Sequence, residues 1–272
     1  DKNGTFSQGE IAVSLHKDLF EMIAELKEQN KSFAIATVIA VQGSSSAKTG
    51  DKAIYDQNGK RVIGYIGGGC VESRVGKTVI ESLADNQTRM VDVNLDSDDM
   101  ELGIPCGGIM TVFVEPQQSS PTILIRGMGR VVETVVAMAR MLNFRVLVQA
   151  PEEEKGRFSS ADKFITDPLE LDAIDETVDY FILATHHRDD HKQTLAALAA
   201  GILYVTVVAS RKKAELLLDY LKKNGVDDQA LERFHSPAGL DLGSKTAEEI
   251  ALSIMADIVR HRNGGTGEPM SM

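Results

Sequence analysis

The chain has 272 residues, 43% of them hydrophobic, and a formal net charge of −11. That length favours two domains over one core, and the charge argues against nonspecific binding to nucleic acid or to an anionic membrane. No run approaches the roughly 18 apolar residues of a membrane span, the polar N-terminus has no signal-peptide core, and two cysteines do not make a disulfide framework; a reducing cytoplasm is the expected compartment.

In chain order, Ser7-Gln8-Gly9-Glu10 has the spacing of a capping box. Leu15, Leu19, Met22, Ile23 and Leu26 follow as one helical stripe, suited to covering a sheet. Phe33 to Val41 is apolar on both faces, the pattern of a buried central strand. Lys52–Tyr55 and Arg61–Ile66 read as strands joined at the turn signal Asn58-Gly59. The second runs into Gly67-Gly68-Gly69-Cys70. Val71, Val75, Val79 and Leu83 then recur every fourth residue, which puts Cys70 at a helix N-terminus. Arg89 to Leu95 reads as a strand, Asp96 to Met100 as an acidic loop, and Ile109 to Val114 as a second strand buried on both faces.

The polar break Gln117–Pro121 sets a domain boundary, giving domains at 1–117 and 118–263 with a flexible tail at 264–272. The second half repeats strand and helix. Strands are expected at Thr122–Arg126, Arg145–Val148, Lys163–Thr166, Tyr180–Ala184 and Leu203–Val208. Helices are expected after Gly129, around Leu169–Ile174, over Asp190–Ala200 and Arg211–Lys223, and after the capping box Thr246–Glu249. This is the pattern of a Rossmann-like, doubly wound parallel sheet.

Several residues stand out chemically. A cysteine at a helix N-terminus, as Cys70 is expected to be, is a candidate nucleophile or soft ligand, and Gly67, Gly68 and Gly69 would admit a bulky anion to the backbone. Cys106, between Pro105 and Gly107-Gly108, has similar freedom. The pair reads as two small buried cysteines, as a reversible disulfide, or as a soft-ligand and sulfur-handling site. Ser44, Ser45 and Lys48 form a polar, basic loop suited to phosphate, or simply a solvated loop. Gly127-Met128-Gly129 makes a strand–turn–helix that aims backbone N–H groups at a phosphate. Val132 stands where the dinucleotide fingerprint wants a third glycine, and the second strand ends in Gln149-Ala150-Pro151, with no carboxylate before Glu152. A nucleotide site and a tight structural turn both fit. With strand order 3-2-1-4-5, Thr185-His186-His187-Arg188-Asp189-Asp190-His191 faces that turn. His187 and His191 could share a metal, or line a polar crevice beside a helix capped by Asp189 or Asp190.

Taken together, these stretches resemble the XdhC/CoxI family of xanthine dehydrogenase accessory proteins. The likeness runs through Gly43-Ser44-Ser45 to Lys52, Gly64 to Glu72, Pro105-Cys106-Gly107-Gly108, Val114-Glu115-Pro116, Gly127-Met128-Gly129, Val208 to Lys213, and Ser236 to Gly243 with Thr246 and Glu248-Glu249-Ile250. The resemblance implies an N-terminal α/β XdhC/CoxI domain followed by a Rossmann-like domain. It implies an accessory role in maturing a molybdenum hydroxylase: binding the molybdenum cofactor (molybdopterin) transiently, supporting its sulfuration and passing it to the apoenzyme, as a chaperone and not a turnover enzyme. Cys70 and Cys106 would meet the molybdenum or its sulfur. Ser44, Ser45, Lys48, Gly67–Gly69, Gly107 and Gly108 would meet the pterin phosphate, and Glu72, Gly127, Gly129 and His186 complete the cofactor-binding set. The expected partners are the hydroxylase apoenzyme, a cysteine desulfurase and a second copy of the chain in a homodimer. The chain departs from the family pattern at Ser46-Ala47-Lys48, at Met128 and Arg130, and at Gln149-Ala150-Pro151. The alternative is an NAD(P)-dependent oxidoreductase, or a nucleotide-binding regulatory protein, working through the Rossmann half.

Overall fold

A computed structural model of the chain describes residues 18–43, 45–94, 108–168, 170–185 and 189–270. They belong to two units, Asp1–Ser119 and Ser120–Met272. The capping box expected at Ser7 to Glu10, the acidic loop and the turn around Cys106 lie outside the described residues.

The first unit is built on an antiparallel sheet. Its strands are β1 (Phe33–Gly43), β2 (Lys52–Asp56), β3 (Arg61–Gly64), β4 (Arg89–Asn94) and β5 (Gly108–Gln117), in the order β3-β2-β1-β5-β4. Two helices pack on it. Helix α1 (Leu19–Glu28) is capped by Asp18, whose carboxylate accepts the Glu21 N–H while Glu21 reaches back to the Asp18 N–H. Its stripe of Leu19, Met22, Ile23 and Leu26 meets Phe33 and Ile54. Helix α2 (Gly69–Asp85) lays Val71, Val75 and Val79 on Ala34, Ala36, Val38, Met110, Val112 and Val114. Burying each of those valines contributes about 1.5–3 kcal/mol.

The helix also meets the β2–β3 turn without side chains. A Cβ on Gly76 would stand 2.4 Å from the Gly59 carbonyl oxygen, and a Cβ on Gly59 would stand 2.4 Å from that of Gly76. Two expectations fail here. β5 is not buried on both faces: Met110, Val112 and Val114 point into the core while Ile109 is 47% exposed. β1 is central but open beyond Val38, with Ile39 41% exposed. Among the described residues, α1 packs on the second sheet face, where it meets Phe33 and Ile35 of β1, Ile54 of β2 and Ile63 of β3.

The second unit carries a parallel sheet of β6 (Thr122–Gly127), β7 (Arg145–Ala150), β8 (Lys163–Thr166), β9 (Tyr180–Ala184), β10 (Tyr204–Val207) and β11 (Phe234–His235). The order β11-β10-β9-β6-β7-β8 is the doubly wound order, with its switch point between β6 and β9. Alternate residues of each strand serve opposite faces. Ile123, Ile125, Val146, Val148 and Ile182 pack under α3 (Arg130–Met141) and α7 (Ala247–Asn263). Leu124, Leu147, Phe181 and Leu183 pack under α4 (Asp190–Ala199) and α5 (Arg211–Lys223). A single turn, α6 (Asp228–Leu231), precedes β11. The helix expected at Leu169–Ile174 is only a 3-10 turn at Leu171–Ala173, and a 3-10 segment at Glu152–Phe158 had no periodic signal to announce it.

Candidate functional site

The glycine triplet turns the chain from β3 into α2. Gly67 has φ +128°, a conformation that L side chains rarely adopt, and a Cβ there would press on Val71 at 3.0–3.3 Å. Gly68 is the N-cap, Gly69 the first helical residue, and a Cβ on either would meet nothing within 4 Å. Packing therefore demands the first glycine alone. The other two leave open backbone at a helix start, and Cys70, the second helical residue, is exposed with a free thiol.

Arg61 fastens this turn. Its guanidinium donates to the Gly64 carbonyl and pairs with Glu72 at 2.6 Å. Glu72 is thus committed to holding the first turn of α2 against β3. Beneath it, the Tyr55 hydroxyl is buried with no hydrogen-bond partner among the described residues. Burial, then the Glu72 charge, with Arg61 opposing, pushes Tyr55 up to about 12.

The loop before β2 closes on itself. Ser45 Oγ accepts the Ala47 N–H at 3.1 Å, and the Lys48 N–H donates to Asp51 at 2.7 Å. Ser46 and Tyr65 share a hydrogen bond of 2.7 Å, which brings this loop beside the strand leading to the triplet. Gly108 opens β5, where a Cβ would lie 2.3 Å from the Gln42 carbonyl oxygen, so the close pairing with β1 accounts for it. Ser44, Cys106, Gly107 and His186 lie outside the described residues. Among the described residues no group of three or more His, Cys, Asp or Glu side chains is placed to hold a metal.

In the second unit Gly127 pairs with Ala184 at the switch point. Its φ is +147°, and a Cβ would stand 2.1 Å from the Ala184 carbonyl oxygen. Strand packing explains this glycine without a ligand. Gly129, the N-cap of α3, has φ +89° and open space around it. Val132 is buried in the core in the place of a third glycine.

The end of β7 does not present a ribose-binding acid. Ala150 closes the strand, Gln149 accepts the buried Arg126 Nε–H at 2.7 Å, and Gln149 donates to Asp167 at 3.1 Å. Burial lowers the Arg126 pKa, and the Asp167 and Glu170 charges oppose that shift. Glu152 accepts from Thr166 and pairs with Lys155 at 3.4 Å.

Sequence reasoning missed two clusters. Asp190, 4% exposed, accepts from both Thr185 and Lys213 at the start of α4. It does not cap α4: Asp189 occupies the N-cap position, with φ +50° and no side-chain cap bond. His191 packs edge-on against Tyr220 at 4.7 Å, and its expected metal partner His187 lies outside the described residues. In the second cluster, Tyr204 donates to Asp257 at 2.5 Å and stacks on His235 at 4.1 Å, while Arg260 pairs with Asp257 at 2.7 Å. His235 Nε2 is buried with no partner among the described residues. Residues 23 to 53 positions apart meet in these clusters, so only the strand order could have announced them.

Comparison with known proteins adds a family to this geometry. A model described as the XdhC and CoxI family matches residues 26–94, and one described as the XdhC Rossmann domain matches residues 123–258, half of the chain. YqeB of Escherichia coli (strain K12) is 26% identical over 260 residues, 92% of this chain and 47% of YqeB. A probable xanthine dehydrogenase subunit of Bacillus subtilis (strain 168) is 22% identical, over 89% of this chain and 96% of its own length. The molybdenum cofactor insertion chaperone PaoD of E. coli is 22% identical over 40% of this chain and 34% of PaoD. The chain thus spans about half of YqeB and a third of PaoD. With one family model on each unit, the chain belongs to the XdhC family.

Proposed function

We propose that this chain is an accessory protein in the maturation of a molybdenum hydroxylase, one that binds the molybdenum cofactor as cargo and supports its sulfuration and insertion. The observation that carries this reading is the exposed Cys70 thiol, presented on the first turn of α2 beside the bare backbone of Gly68 and Gly69. A thiolate is a natural soft ligand for a metal such as molybdenum. Open amides at a helix start favour an anionic group. The likeness to a molybdenum cofactor insertion chaperone supports the same assignment. Cys106 is the proposed second thiol, the hydroxylase apoenzyme the recipient, a cysteine desulfurase the sulfur donor, and a homodimer the working assembly.

The test is retention of molybdenum cofactor by the anaerobically purified full chain, read by pterin fluorescence and metal analysis. Cys70→Ser is expected to lose most of the bound cofactor while the fold is kept. Equal retention by wild type, Cys70→Ser and Cys106→Ser would remove the cysteines from the assignment, and no retention by wild type would remove the assignment itself. A dinucleotide function is disfavoured by Ala150 at the end of β7 and by the engaged carboxylate of Glu152. Calorimetry with NAD(H) and NADP(H) checks that: measurable binding of any of the four would reinstate it.

A further inference from the structure

Beside α2, on the side away from the valine stripe, lies a cleft of about 610 Å³. One wall is the helix face carrying Cys70, Ser73, Arg74 and Lys77, and the other is residues 91–94 of the edge strand β4. That volume falls within the roughly 300–1,000 Å³ of small-molecule sites. The helix residues fall at i, i+3, i+4 and i+7, one face of a helix. At about 1.5 Å per residue, Arg74 lies about 6 Å and Lys77 about 10 Å along the axis from Cys70. The cleft is therefore graded: a soft thiol at one end, two cations at the other.

The cations are distinctive in their surroundings. Arg61 and Arg89, which flank α2, are engaged by Glu72 and Asp85. Arg74 and Lys77 pair with no carboxylate among the described residues. The acid on the opposite wall, Asp92, accepts from Thr111 Oγ1 at 2.6 Å. On a chain with a net charge of −11, a lining of two cations against one carboxylate, Asp92, carries an excess of one positive charge.

We infer that this cleft binds a phosphate-bearing ligand, with its phosphate on Arg74 and Lys77 and its thiol-affine end at Cys70. The inference rests on the proposed function for the ligand's identity and adds its direction: the phosphate end lies on α2, not in the Ser45–Lys48 loop. In that loop Ser45 accepts from Ala47, Ser46 is bonded to Tyr65 and the Lys48 backbone N–H is taken by Asp51, which leaves the exposed Lys48 ammonium as its single cation.

The experiment uses inorganic pyrophosphate as probe and the full chain, in calorimetry at low ionic strength. Losing two charge-assisted contacts should weaken binding on the order of tenfold or more in the double variant Arg74→Gln/Lys77→Gln, whereas Lys48→Gln should bind as wild type does. Both variants alter exposed side chains, and circular dichroism melts verify their folding. A second readout needs no bound ligand: modification of Cys70, followed by peptide mass. The anionic reagent dithionitrobenzoate should react several-fold more slowly in the double variant, with neutral iodoacetamide unchanged, and pyrophosphate should protect the wild-type thiol from the anionic reagent. Equal pyrophosphate affinity in wild type and the double variant overturns the site, as does a loss confined to Lys48→Gln. The cofactor-retention test reads a different ligand through Cys70 and Cys106, so failure there is separable from failure here.

Discussion

Replacing Gly127 by alanine should damage the second unit far more than replacing Gly129, although both glycines belong to one turn. Two costs meet at Gly127. Its φ of +147° is foreign to alanine, a strain of about 1–3 kcal/mol. The new Cβ would also stand 2.1 Å from the Ala184 carbonyl oxygen. That oxygen is backbone of β9, which cannot retreat without opening the ladder to β6, and relieving such overpacking costs about 1–3 kcal/mol more. The sum is about 2–6 kcal/mol. With a urea slope of about 2 kcal/mol/M, the midpoint should fall by about 1–3 M. Gly129→Ala carries only the strain of φ +89°, since nothing lies within 4 Å. Pulsed hydrogen exchange of peptides from β6 and α3, followed across a urea series, reads this unit by itself. Equal losses for the two variants, or a loss below about 1 kcal/mol for Gly127→Ala, would refute the strand-clash argument and make Gly127 a ligand-contact candidate again.

Tyr55→Phe removes a buried hydroxyl that has no partner among the described residues; stability of the first unit should hold or rise by up to about 1 kcal/mol in chemical denaturation, and a fall of that size would show that the hydroxyl is satisfied. The second unit should weaken as pH falls below about 6.5. Burial, aided by His261 and Arg260 and opposed by Asp257, lowers the His235 pKa from its ordinary 6.5, so the unfolded chain takes up the proton first and folding loses ground between that value and the lower folded one. Melting temperatures from pH 8 to pH 5 should show this slope in wild type and a flatter one in His235→Gln.

The parallel sheet could be read from the sequence because strands buried on both faces appear as unbroken apolar runs between helical periods. The same rule misled in the first unit, where Ile39 and Ile109 continue apolar runs yet face outward. An antiparallel sheet tolerates one thinly covered face, and a run of β-branched residues does not say how far the covering helix reaches. Leu169 to Ile174 carries apolar residues among Asp172 and Glu170 after Pro168, enough for one 3-10 turn and too few contacts for a helix. At the site, Cys70 and its place on α2 were legible from Val71, Val75 and Val79. The role of Glu72 was not, because its partner Arg61 sits at the start of β3, on the other side of the glycine turn. Arg74 and Lys77 passed unnoticed because charges on the outer face of an amphipathic helix are ordinarily just solvated. Their meaning came from the strand that stands opposite.

The contact between Gly59 and Gly76 bears on how cargo could leave. Two backbones that touch without side chains form a keyed joint: there is no rotamer to switch and no methylene to compress. A shift of helix α2 toward the β2–β3 turn would drive a carbonyl into the neighbouring chain. The cysteine and the two cations are carried on the helix that this joint holds. If α2 displays the ligand as proposed, hand-over would come from competition for it at the open mouth of the cleft, and not from a turn of the helix.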